Sequence, residues 1–253
     1  MLLAVDIGNS RIKFGIFSGD TLISKLSIPT IRDISAPELM SAIGDKVERS
    51  VTEVIVSSVV PEVNTAVRSY IESHFGVEPY FVTNDADFGL QINYHPLEDA
   101  GSDRLINTFS AVEKYGAPCI VCSFGTALTI DHVDENRVLT GGLIAPGMNT
   151  LAAALKLTTS RLPEVEIEKP ANVIQNTTVG SIRSGIVYGY FGLFEGLIQR
   201  LKDEIDGNPK VVATGGFAEL ISGNTDQIDV VDKDLMLDGL RMLARRRSAQ
   251  TVK

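Results

Sequence analysis

The sequence predicts an α/β fold with a largely parallel sheet, built twice along the chain. Three observations carry this expectation. Strand-like and helix-like segments alternate from end to end, as they do where helices cover the faces of a parallel sheet. A strand–turn–strand–strand unit at residues 2–27 recurs at residues 119–144, the mark of a duplicated domain. Asp6 lies inside the first apolar run, where a carboxylate costs several kcal/mol unless it is paired or binds a cation. Ligands of α/β sheets bind beyond strand ends, so the cleft between the two copies is the expected site.

The elements follow in order. Leu2–Ile7 and Ile12–Phe17 are apolar runs flanking Gly8-Asn9-Ser10, residues that suit a tight turn, and they read as buried strands of a hairpin. Two readings of Asp6 stand side by side. It holds Mg²⁺ carrying nucleotide phosphates, with the turn amides, the Ser10 hydroxyl and Lys13 close by, or it caps the turn of an ordinary edge hairpin. Thr21–Ser27 reads as a third strand, residues 36–49 have helical periodicity, and Val54–Val60 reads as a buried parallel strand. Pro61 opens a helix running to about His74, and residues 79–82 form a short strand before a solvated acidic turn at Asn84–Asp87.

The second cycle begins near Ala117, with strands at residues 119–123, 128–133 and 137–144 and a tight turn at Phe124-Gly125-Thr126-Ala127. Residues 178–205 read as one long helix. Gly185, Gly189, Gly192 and Gly196 share a face there, which predicts a closely packed neighbour, since each mid-helix glycine costs about 1 kcal/mol against alanine. Residues 210–213 form a last core strand, broken by Thr214-Gly215-Gly216, and residues 232–246 a terminal helix. The domains expected from this pattern are residues 1–115 and 116–253.

Composition sets bounds. At 253 residues, 44% apolar and 22% charged, the chain has the make-up of a globular protein with ample core. A net charge of −9 argues against a nucleic-acid partner, which needs clustered Lys and Arg. The basic run Arg241–Arg247 is expected to be a solvated helix end favoured by the macrodipole. Asp6 interrupts the N-terminal apolar run, so no secretory signal is read, and the apolar stretch at residues 185–192 is too short to span a bilayer. Cys119 and Cys122 fall on opposite faces of a strand and read as buried free thiols of a cytoplasmic protein. His74, His95 and His132 form no metal-ligand pattern.

The chain has no Walker A loop and no Gly-x-Gly-x-x-Gly fingerprint. Its Asp-x-Gly-Asn-Ser hairpin, Phe-Gly-Thr-Ala hairpin and Thr-Gly-Gly strand end, in that order, resemble the two phosphate-binding turns and the adenosine turn of the sugar kinase and actin superfamily. That resemblance implies duplicated ribonuclease-H-like (actin-like ATPase) domains with an interdomain cleft. Gly101-Ser102-Asp103-Arg104, opening a helix that runs to Tyr115, resembles the Gly-Ala-Asp-Arg motif of the type III pantothenate kinases. Residues 141–147, Arg161-Leu162-Pro163, Thr177-Thr178 through Ser184-Gly185, and Thr214-Gly215-Gly216 extend the resemblance over essentially the whole chain.

The resemblance implies ATP-dependent phosphorylation of pantothenate to 4'-phosphopantothenate, the first step toward coenzyme A, by a homodimer with its site close to the dimer interface. It assigns Asp103 as catalytic base, a role suited to a carboxylate kept ionised at a helix N-terminus. Read locally, Asp103 is more simply a helix cap. Tyr94, Gly101, Ser102, Asp103, Arg104 and Thr178 would hold pantothenate, although Arg104 could equally pair with an acidic neighbour. Asp6, Ile7, Gly8, Asn9, Ser10, Arg11, Ile12, Lys13 and Thr126 would hold ATP, with Asp6 on Mg²⁺. Ser123 departs from the family: it aligns with the aspartate that binds the monovalent cation (K⁺ or NH₄⁺), and a serine offers one neutral oxygen there. The departure keeps open an alternative, a catalytically weak or inactive homologue acting as a regulatory or accessory protein on the same fold. A different acyl or sugar kinase of the superfamily is a third reading, which the Gly-Ser-Asp-Arg segment disfavours.

Overall fold

A computed structural model describes residues 1–47 and 50–251. Its contacts divide the chain into two compact units, Met1–Lys114 together with the C-terminal helix from Asp234 onward, and Tyr115–Lys233. The C-terminal helix thus joins the first unit, whereas the sequence pattern placed it in the second.

In the first unit, β1 (Leu2–Ile7), β2 (Arg11–Ser18) and β3 (Thr21–Pro29) form an antiparallel meander. Strands β4 (Glu53–Ser58) and β5 (Tyr80–Phe81) extend it in parallel, in the order β3-β2-β1-β4-β5. Strand alternation separates two faces. Leu3, Val5, Ile7, Ile12, Phe14, Ile16, Val54 and Val56 share one core with Leu39 and Ile43 of α1 (Ala36–Ile43) and with Val63, Val67, Tyr70 and Ile71 of α2 (Pro61–Phe75). The opposite face carries Ala4, Asp6, Lys13, Gly15 and Ser57. The two-residue strand β6 (Gln91–Ile92) precedes α3 (Ser102–Tyr115), and α7 (Leu235–Thr251) packs on β1, β2 and β4. Two glycines permit this packing. A Cβ on Gly15 would lie 3.0 Å from Leu237, and one on Gly239 would lie 2.7 Å from Ile106 of α3.

In the second unit, β7 (Cys119–Phe124), β8 (Ala127–Val133) and β9 (Val138–Pro146) form the meander. Strands β10 (Lys210–Gly215) and β11 (Val230–Val231) run parallel to β7, in the order β9-β8-β7-β10-β11. Order and directions match the first unit strand for strand. Ile120, Cys122, Phe124, Leu128, Ile130, Val211 and Ala213 form a core with α4 (Met148–Thr158), α5 (Thr178–Glu204) and α6 (Ala218–Ser222).

Several boundaries differ from the expected ones for identifiable reasons. A capping box, in which the Glu38 amide donates to Ser35 Oγ and the Ser35 amide to Glu38 Oε2, starts α1. It stops at Gly44, whose φ is +52°, and continues as a 3₁₀ turn over Gly44–Lys46; Arg49, at the end of the expected helix, lies outside the described residues. Strand β4 ends at Ser58, because Val60 becomes the residue that precedes the Pro61 helix. Strand β10 runs through Thr214 to Gly215, whose φ of +98° suits only glycine, so the glycine ends the strand in place of breaking it. Helix α4 adds to the expected elements, and its run of alanine and leucine at residues 151–157 is a helix-forming one that follows β9 directly.

The basic run is not merely a solvated helix end. Arg246 forks onto Asp87, with Nε 2.9 Å from Oδ2 and Nη2 3.1 Å from Oδ1. Arg241 and Arg245 both pair with Asp20, and Arg247 lies 4.2 Å above the Tyr80 ring. Packing α7 on the first sheet brings its arginines within reach of acids on that unit. The expected neighbour of the glycine stripe is absent from the described residues of this chain, since a Cβ on Gly185, Gly189 or Gly192 would meet nothing within 4 Å. Both cysteines are buried free thiols, and burial pushes Cys119 up to about 12.

Candidate active site

The first unit assembles a row of polar side chains at the carboxyl end of β1. Asp6 is in register with Lys13 of β2 on one side and Ser57 of β4 on the other, so all three project from one face. Asp6 is only 7% exposed, and Lys13 Nζ stands 3.4 Å from its Oδ2. Ser57, fully buried, has its Oγ 3.5 Å from Ser102 Oγ, which sets the start of α3 against this row and brings the next residue, Asp103, to it.

Electrostatics tie the two carboxylates together. Burial pushes Asp6 up, Lys13 pulls it back, and the nearby Asp103 charge adds to the rise. Burial likewise raises Asp103, against the Arg104 amide and guanidinium and the Lys13 charge. One buried and one partly buried acid near the same lysine are poised for proton and cation chemistry.

Asp103 lies inside the first turn of α3 rather than at the capping position, and its Oδ1 accepts from the Arg104 amide at 2.9 Å. That contact explains Gly101, where a Cβ would stand 2.6 Å from the same oxygen. Arg104, buried to 7% exposure, donates from Nη1 to Tyr94 Oη at 3.2 Å and lies 5.0 Å from the Tyr94 ring centre. The structure therefore groups Asp6, Lys13, Ser102, Asp103, Arg104 and Tyr94 within one unit.

Around the turn the expected residues divide. The Gly8 amide donates to the Arg11 carbonyl at 3.0 Å, closing it and leaving Asn9 and Ser10 exposed. Ile7 and Ile12 point into the apolar core, so only their backbone groups can serve a ligand. Arg11 is turned away, its Nε donating to Ser27 Oγ at 2.7 Å and its Nη2 to the Ser27 carbonyl at 3.0 Å. The supports of the turn escaped sequence reasoning. Thr30 donates from Oγ1 to the Gly8 carbonyl at 2.6 Å and from its amide to the Ser10 carbonyl, and the Val59 amide donates to the Ile7 carbonyl. Ser57 did leave a signal, as a hydroxyl at the end of the otherwise apolar β4 run.

The remaining expected residues belong to the second unit. Ser123 occupies the place in β7 that Asp6 occupies in β1, in register with Thr129 and Thr214. The Gly125 amide donates to the Ala127 carbonyl at 3.0 Å, as Gly8 does to Arg11. The exposed Thr126 has its carbonyl bound by the Gly147 amide and by Thr150 Oγ1. Thr178 opens α5 behind Thr177, whose Oγ1 accepts from the Gly180 amide at 3.1 Å. Among the described residues no group of three or more His, Cys, Asp or Glu side chains could hold a metal by itself, and no helix is long and apolar enough to cross a membrane.

Comparison with known proteins narrows the assignment. Solved structures with the same fold include the (R)-2-hydroxyglutaryl-CoA dehydratase component A of Acidaminococcus fermentans, at 12% identity, TM-score 0.53 and coverage of 100% of this chain and 99% of that one. Another is the ethanolamine utilization protein EutJ of Carboxydothermus hydrogenoformans, at 14% identity, TM-score 0.54 and coverage of 96% and 88%. They share the actin-like ATPase architecture of duplicated ribonuclease-H-like units. The family model for type III pantothenate kinase matches residues 2–200. Type III pantothenate kinases of Koribacter versatilis and Brevibacillus brevis are 38% and 39% identical, covering 100% and 98% of this chain and 98% and 100% of the relatives. With the match spanning both sheets and the Asp6–Lys13–Asp103 cluster, the chain belongs to the type III pantothenate kinase family.

Proposed function

We propose that this chain phosphorylates the primary hydroxyl of pantothenate with ATP, giving 4'-phosphopantothenate and ADP in the cytoplasm. The observation that carries this reading is the meeting of two acids around one lysine, the buried Asp6 of the sheet face and the partly buried Asp103 at the start of α3. Phosphoryl transfer asks a protein for positioning, charge neutralisation and a base, and this cluster supplies each.

Asp103 is the base. As the pantothenate oxygen attacks the γ-phosphorus and the bond to the β-bridging oxygen breaks, the hydroxyl proton passes to the Asp103 carboxylate. Its raised proton affinity makes it a better acceptor than an exposed aspartate at the same pH. Arg104, steadied by Tyr94, offers a planar fork for the pantothenate carboxylate. Asn9 and Ser10 of the exposed turn, which the Gly8 amide closes, and Lys13 receive phosphate oxygens. Asp6, a hard oxygen donor whose burial is only partly offset by Lys13, fits Mg²⁺. That ion would neutralise charge on the phosphates of bound ATP. Thr126 and Thr178 keep the roles the resemblance gives them, which substitution of each tests separately.

The monovalent-cation site fits less well. The Ser123–Thr129–Thr214 row offers neutral hydroxyls where the family has a carboxylate, so we propose only weak dependence on K⁺ or NH₄⁺. A second copy of the chain is the proposed partner of α5. Its glycine face borders an open apolar groove of about 510 Å³, lined by Leu151, Leu155, Ile182, Gly185, Gly189 and Leu193, and sedimentation equilibrium would reveal the dimer.

A coupled assay of ADP release with pantothenate tests the reading. Turnover is expected at millimolar ATP and Mg²⁺, and its absence with or without K⁺ or NH₄⁺ would remove the activity. Asp103→Asn should lower kcat by about 10³-fold, within the usual range for loss of a general base, while the protein stays folded. Unchanged turnover would leave Asp103 with a role in the first turn of α3 only.

A further inference from the structure

We propose, resting on the kinase reading above, that Arg32 is a positioning residue for the phosphate turn, bracing the Asn9 side chain against Glu62 of α2. Arg32 follows β3 and is drawn to the turn by its neighbour Thr30, which holds the Gly8 and Ser10 carbonyls. Its Nη1 donates to Glu62 Oε1 at 2.5 Å and its Nη2 to Asn9 Oδ1 at 3.4 Å. The guanidinium therefore spans two segments, the turn and the first turn of α2, with two N–H groups held in a fixed planar fork that a lysine ammonium lacks.

The chemical consequence lies in the Asn9 amide. Thr30 and Val59 bind carbonyls of the turn and its base, and they fix its backbone. Rotation of the exposed Asn9 side chain needs a separate restraint. With Oδ1 accepting from Arg32, the amide is oriented with its NH₂ group away from the guanidinium, as a pair of donors for an anion. Without the brace the amide can turn over and present its carbonyl oxygen to phosphate.

Glu62 neutralises most of the Arg32 charge, so orientation rather than field is the contribution. Side-chain exposures of 61% for Arg32 and 49% for Glu62 mean that the ion pair adds little to folding stability. Its loss should register in nucleotide affinity and leave melting temperature unchanged.

Calorimetric titration with Mg²⁺ and a non-hydrolysable ATP analogue tests the brace. Arg32→Ala should raise Kd by about 5- to 10-fold, the effect of losing one well-placed donor group. Arg32→Lys should not restore affinity, and Glu62→Gln should weaken binding by about 2- to 4-fold through loss of the anchor. Because Arg32 acts through Asn9, the Arg32→Ala/Asn9→Ala pair should bind no worse than Asn9→Ala alone. Wild-type affinity in Arg32→Ala, additivity of the pair, or tighter binding by Glu62→Gln would each overturn the proposal; the last would make Arg32 a phosphate contact held back by Glu62. A wild-type protein that binds no analogue would instead refute the phosphate-turn reading itself.

Discussion

The same row of the sheet is built twice in this molecule, with different chemistry each time. Across β4, β1, β2 and β3 the first unit places Ser57, Asp6, Lys13 and Ser27; across β10, β7, β8 and β9 the second places Thr214, Ser123, Thr129 and Ile144. Strand order, direction and register agree, and both turns close by a glycine amide bonding to a carbonyl beyond the turn. The charge does not agree. One row holds an acid and a base in a site where burial opposes ionisation; the other holds hydroxyls that burial tolerates far better. Backbone pairing sets the architecture in both copies, and a single side chain in each row decides what that copy can do.

Making the first row like the second is the most severe way to break this comparison. Asp6→Ser should lower kcat/KM by about 10³-fold, equivalent to about 4 kcal/mol of transition-state stabilisation. The same change should stabilise the ligand-free protein by about 1 kcal/mol near neutral pH, because sites are built at a cost to stability. The sign follows from Asp6. A proton affinity raised by folding means that the ionised carboxylate opposes folding above that raised value, and that the penalty vanishes below the unfolded-state value of about 3.9. Thermal melts of the variant should therefore exceed wild type at pH 8 and converge with it toward pH 4. A variant less stable at pH 8 would mean that the Lys13 pair outweighs burial.

The strand ends differ as well. Gly215 lies in register with Phe124, where the first unit pairs Ser58 with Ile7. A Cβ on Gly215 would stand 2.5 Å from the Phe124 carbonyl oxygen, on a backbone at φ +98°. Gly215→Ala should then cost about 2–3 kcal/mol by urea unfolding, while Ser58→Ala should cost under about 1 kcal/mol. Equal costs would show that the second unit's crowding relaxes freely.

Much of this was legible in the sequence, and the exceptions share a cause. The strands of both meanders, the long α5, the Asp103 helix and the odd placement of Asp6 are written in local periodicity and in one misplaced charge. What escaped is what depends on partners distant in sequence. Helix α7 follows the second unit in the chain, yet its arginines meet Asp20 and Asp87 of the first, and no local pattern distinguishes that from a solvated basic end. Arg11 sits in the phosphate turn by sequence but is captured by Ser27 of the neighbouring strand. Ile7 and Ile12 match the nucleotide motif by position, while alternation turns their side chains into the core. Ser123 was legible as a departure because the motif around it is otherwise intact.

Making the second row like the first gives the mildest effect and the finest test. Ser123→Asp would place a carboxylate between Thr129 and Thr214, where oxygen ligands already converge in register but carry no charge. Ser123 is less buried than Asp6, so the new charge should cost under about 1 kcal/mol in Tris buffer free of K⁺, and added K⁺ should return that stability by mass action. Turnover of the variant should rise by about 2- to 5-fold on adding K⁺, with wild type nearly flat over the same range. An electrostatic contribution below about 1 kcal/mol is what a hydrated monovalent ion beside a half-exposed carboxylate can supply. A strongly K⁺-activated wild type would show that hydroxyls and carbonyls alone can bind the ion, and the contrast between the rows would then concern magnesium and proton transfer only.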